Sequence, residues 1–98
     1  MENLVQGKEF KKLVEEAKNH GTEKLEYSNR TNKKYKVTLP DNKTIHFGNK
    51  SYEDYLIHKD AERREKFRKR ASKIKNKEGN LTFEIKESPN YWSYNLLW

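Results

Sequence analysis

The stretch KYKVTLPDNKTIHFG, residues 34–48, constrains the fold most. Tyr35, Val37 and Leu39 alternate with Lys34, Lys36 and Thr38, and Ile45 and Phe47 repeat the alternation with Thr44 and His46 opposite. A period of two puts one set of side chains on each face of a pleated strand. Between the two runs, Pro40 presets its backbone angle and Asn42 tolerates the left-handed region, which is turn chemistry. The segment predicts a β-hairpin, and the rest of the chain has to cover its apolar face.

Phe10, Leu13, Val14 and Ala17 recur at helical spacing over residues 8–18. His20-Gly21 follows as a stop, with glycine free to take the left-handed position after the last turn. Leu25 and Tyr27 alternate in EKLEYS, residues 23–28, a short strand followed by the polar turn 29–32. Gly48-Asn49-Lys50 turns the chain again, and the Ser51/Asp54 spacing resembles a capping box for a short helix over 52–57. Leu81, Phe83 and Ile85 alternate as a further strand, and Ser88-Pro89 reads as a cap with proline at the first helical position. The fold class expected is α+β in one domain: a small antiparallel sheet of three or four strands, with a basic helix packed on it and an N-terminal amphipathic helix.

That basic helix is residues 60–75, DAERREKFRKRASKIK. Asp60 is a suitable N-cap, Glu62 complements the helix dipole, and Phe67, Ala71 and Ile74 form a narrow apolar stripe. Eight basic residues stand against three acidic ones in these sixteen positions. Residues 1–32 carry no net charge, so residues 33–98 hold the whole +7. Such asymmetry points to a polyanionic partner, most simply nucleic acid. The candidate contacts are Arg63, Arg64, Arg68, Lys69, Arg70, Lys73 and Lys75, extended by Lys34 and Lys36 on the hairpin's polar face. Arginine suits them because its planar fork meets phosphate with two hydrogen bonds. Acid-first spacing predicts the pairs Asp60–Arg64, Glu62–Lys66 and Glu65–Lys69.

Catalytic chemistry has little to stand on. His46, His58, Asp54 and Asp60 invite a metal-nuclease reading, but no His pair at ligand spacing accompanies them, and there is no cysteine. Ser51, Ser72 and Ser93 lack a nucleophile elbow, and the four glycines form no phosphate loop. A non-enzymatic protein with no cofactor and no metal is expected. Without a leader-like N-terminus or an apolar run long enough to span a bilayer, it should be soluble, intracellular and free of membrane. At 32% hydrophobic and 38% charged, folding depends on twelve aromatic side chains (six Tyr, four Phe, two Trp), each able to bury a large area. Six of the last eight residues, YWSYNLLW, are aromatic or leucine, and they are expected to fold back into the core.

In order along residues 33–98, KKYKVTLPDNKTIHFG, YEDYLIHKDAERREKFRKR and YWSYNLLW resemble a small family of uncharacterised proteins of nucleocytoplasmic large DNA viruses, the giant viruses. The resemblance implies a viral protein in the cytoplasm or nucleus of an infected host cell, or in the virion. It carries over no catalytic residue. Asn42 stands where those proteins commonly have a turn glycine, and they tend to continue where this sequence stops. The second reading is a minor virion or assembly protein, docking on a larger capsid or virion partner through its aromatic C-terminal segment.

Overall fold

The computed structural model describes residues 3–22 and 24–98. Helix α1 (Lys8–Asn19) precedes three antiparallel strands, β1 (Lys24–Tyr27), β2 (Lys33–Thr38) and β3 (Thr44–Asn49). Then come α2 (Tyr55–His58), α3 (Ala61–Ala71), a 3-10 turn (Thr82–Glu84) and α4 (Pro89–Trp92), which runs into a π-helical turn (Ser93–Leu97). This is the expected α+β class. Glu23, the first residue of the expected first strand, lies outside the described residues.

The sheet runs in the order β1-β2-β3. In register, Leu25 faces Val37, which faces Ile45, while Tyr27 faces Tyr35, which faces Phe47. Directly opposed residues share a face, so these six make one apolar surface. The hairpin turn forms as its residues dictate: Asn42 sits at φ 68° and its N–H donates to the Leu39 carbonyl at 2.8 Å. Helix α1 lays Leu13 and Ala17 into the core and stacks Phe10 on Tyr27 at 4.4 Å. It stops where expected, with Gly21 at φ +88°. The N-terminal segment is clamped by two tyrosines: the Val5 N–H donates to the Tyr35 hydroxyl, and the Tyr27 hydroxyl donates to the Val5 carbonyl.

The C-terminal segment closes the core. Trp92 is fully buried against Phe47, and its indole N–H donates to the Lys86 carbonyl at 2.7 Å. Leu96 and Leu97 are buried with it. Ser88 caps α4 by accepting from the Asn90 N–H, with Pro89 at the first position, as the sequence indicates.

Three local expectations change. Residues 81–85 are not a strand: Ile85 N–H bonds back to the Thr82 carbonyl, and only Lys75 and Leu81 make a β-bridge. Five alternating residues fit a strand, but here the neighbouring chain is a tight loop and offers no long edge to pair with. The short helix begins at Tyr55, capped by Asp54 rather than Ser51, because the Asp54 carboxylate accepts the Leu56 N–H. Helix α3 ends at Ala71, earlier than the charge run suggests. Beyond it, Asn76 Oδ1 accepts the N–H groups of Glu78 and Asn80, an alternative to helical bonding.

Candidate nucleic-acid interface

Helix α3 starts where Asp60 Oδ1 accepts the N–H groups of Glu62 and Arg63 at 3.0 and 3.2 Å. Its apolar stripe meets the C-terminal segment. Phe67 stacks on Trp98 at 4.3 Å with the rings 11° from parallel, and Ala71 is buried, its carbonyl accepting from Asn90. Ile74, past the helix end, stays 46% exposed.

The nine predicted contacts separate by what each side chain touches. Arg64 and Arg68 are anchors. The Arg64 Nε donates to the Trp98 main-chain oxygen at 2.5 Å, and its guanidinium lies over Tyr55. Arg68 lies 4.1 Å over Tyr94 and reaches the Tyr94 carbonyl. Arg63 is half-way between roles, 3.5 Å from Glu53 with both side chains half exposed. The expected Asp60–Arg64 pairing is thus replaced, because Asp60 is used as a cap and Arg64 turns toward the C-terminal segment. Glu62–Lys66 forms loosely, at 3.9 Å.

The two hairpin lysines leave the site. Lys34 is 1% exposed, with its ammonium 2.7 Å from the Asp54 carboxylate. The expectation that it faces solvent fails because the segment carrying Asp54 covers that side of β2. Lys36 is half-buried, opposite Glu26 and His46 in the sheet, and does not line the cleft beside α3.

Lys69, Arg70, Lys73 and Lys75 remain. All four are exposed, and among the described residues none has an acidic partner. Lys66, Lys69, Arg70 and Lys73 stand at i, i+3, i+4 and i+7, one helical face continued by the turn in which the Lys73 N–H bonds to the Arg70 carbonyl. Beside that face, α3 and the ends of β2 and β3 enclose a cleft of about 550 Å³. Phe67, Trp98, Leu97, Ile74 and Tyr52 form its apolar lining, with Lys33, Arg63, Lys66 and Arg70 among its polar residues. Lys33, Lys66 and Tyr52 escaped the sequence reading. Lys66 is predicted only as the partner of Glu62, and Tyr52 opens the short helix expected over 52–57, a place that gives no sequence signal of exposure.

Histidine chemistry does not assemble here. His46 Nδ1 is bonded to Ser28 Oγ at 2.7 Å, and burial, then the charges of Arg30, Lys36 and Lys33, hold its imidazole below the usual 6.5. His58 Nδ1 accepts the Asp60 N–H at 2.8 Å. Among the described residues, no three His, Cys, Asp or Glu side chains gather as metal ligands, and no helix is long and apolar enough to cross a membrane.

Residues 23–71 match the family of unknown function DUF5754, which spans half the chain, from β1 to the end of α3. The chain belongs to this family. The matched DUF5754 region thus contains the sheet, the Lys34–Asp54 pair and the whole of α3, while the C-terminal segment that seals the core lies outside it. No curated protein and no solved structure matches.

Proposed function

We propose that this DUF5754 protein is a non-enzymatic nucleic-acid-binding protein that grips phosphates, with little base preference, through the outer face of α3 and the turn after it. The observation that carries this reading is the exposed cation group Lys69, Arg70, Lys73 and Lys75, which has no acidic partner among the described residues. Salt-bridged surface charge would be worth little to a ligand, but unpaired cations on one face release counterions when phosphates replace them. The host is a large DNA virus on the resemblance of residues 33–48, 52–70 and 91–98 to proteins of such viruses, and this makes DNA the first substrate to test.

Fluorescence anisotropy with a labelled duplex across a salt series tests the proposal. With about four phosphate contacts, log K should fall against log salt at a slope of about −3.6. Affinity should be of the non-specific kind, about 10⁻⁴–10⁻⁶ M at physiological salt. Substituting all four residues by Gln should weaken binding to every sequence alike and flatten the slope, with folding unchanged because all four are exposed. A wild-type protein that fails to bind at low salt, or binds without salt dependence, would refute the reading.

A further inference from the structure

We infer that the cleft between α3 and the β2–β3 end receives an unpaired base, so that the protein prefers single-stranded nucleic acid to duplex. This rests on the phosphate-binding reading and names the form of nucleic acid the surface takes. Among the described residues, the large apolar side chains left exposed are Tyr27, Tyr52 and Ile74, and two of the three line this one cleft. Tyr52 is 68% exposed, and among the described residues its ring stacks on nothing. Isolated exposed apolar side chains need no explanation, but two flanking one concavity mark a binding surface. The stacked Phe67 and Trp98 rings add an apolar surface to the same lining. At about 550 Å³ the cleft is in the range of small-ligand sites, roughly 300–1,000 Å³, and has room for one nucleotide.

Charge selects the occupant. Lys33, Lys34, Arg63, Lys66 and Arg70 line the cleft against two carboxylates, Glu53 and Asp54. Glu53 is held by Arg63, Asp54 by Lys34 and Lys66 loosely by Glu62, so Lys33 and Arg70 are the cations of the lining with no acidic partner among the described residues. An aromatic platform beside cations that continue onto the α3 face is the arrangement that holds single strands, with bases stacked and backbone tracked by charge. In a duplex the bases are paired and stacked on one another, leaving the outer face only phosphates to meet.

The test compares a labelled oligothymidylate with a duplex of equal length at low salt, for wild type and for Tyr52→Ala and Tyr52→Phe. Wild type should bind the single strand about tenfold more tightly than the duplex, within the range of one base–aromatic stack. Y52A should lose about tenfold on the single strand and nothing on the duplex, whereas Y52F should retain the preference. Ile74→Ser serves as the second variant should Y52A melt early. Duplex bound as tightly as single strand, or Y52A without effect on the single strand, overturns the cleft inference while salt-dependent duplex binding upholds the α3 face. No binding to either sinks both readings. Displacement of oligothymidylate by polyglutamate at equal charge concentration reassigns the cleft to acidic peptides.

Discussion

A lysine left with 1% of its surface exposed has to be explained by what its ammonium touches, and at Lys34 that is Asp54, 2.7 Å away. The pair also ties β2 to the start of α2, because the same carboxylate caps that helix. Burial pushes the Asp54 carboxyl above its ordinary 3.8, while the Lys34 hydrogen bond and charge, then the Leu56 and Ile57 N–H groups, pull it down. With the folded value raised, the group favours folding fully below pH 3.8, and that contribution is lost as pH rises through the folded value. Lys34→Met deepens the effect by leaving a buried carboxylate unpaired. It should cost about 3–5 kcal/mol at neutral pH, shrinking in acid as Asp54 protonates. Chemical denaturation of K34M at several pH values reads this, and a cost independent of pH would contradict it. The double variant K34M/D54N, in which Asn still caps α2, should recover most of the loss. Alternation alone placed Lys34 on a wet face because the pattern of a strand says nothing of what covers its second side.

Helix α3 is fastened along one edge, and the same contacts that fasten it take cations out of the binding face. Phe67 on Trp98, Arg64 on Tyr55 and the Trp98 oxygen, Arg68 on Tyr94, and Asn90 on the Ala71 carbonyl hold it to the C-terminal segment and α2. Trp98→Ala removes the ring stack and should loosen α3 by about 1–2 kcal/mol. Amide exchange over residues 61–71 should then quicken roughly five- to thirtyfold, with β2 and β3 unaffected. Equal loss of protection across the sheet would mean that α3 is not a separate unit. The Asp60 cap, the hairpin with Asn42, and the Ser88-Pro89 start were legible because each is a local device whose residues act within four positions of one another. The division of Arg63, Arg64 and Arg68 from Lys69, Arg70, Lys73 and Lys75 was not legible. It depends on tyrosine rings, a carboxylate and a main-chain oxygen brought in from distant parts of the chain.

The whole molecule depends on its last residues. Trp92, Leu96 and Leu97 belong to the same buried cluster as Tyr35, Val37 and Phe47. Trp92→Ala should cost about 3–5 kcal/mol, a large part of the ~5–15 kcal/mol that holds an ordinary domain together. Removing residues 91–98 should abolish cooperative thermal unfolding followed by circular dichroism, and a sharp transition in the truncated chain would show the sheet to be self-sufficient. The placement of Trp92 also sets a schedule for synthesis. Helix α1 and the three strands leave the ribosome before it, with Phe47 still lacking Trp92, and the basic helix follows them. Neither the sheet nor that helix can be sealed until the final turn has cleared the exit tunnel, so the nascent chain passes through an interval with an incompletely covered sheet and a cationic helix already in contact with the cell.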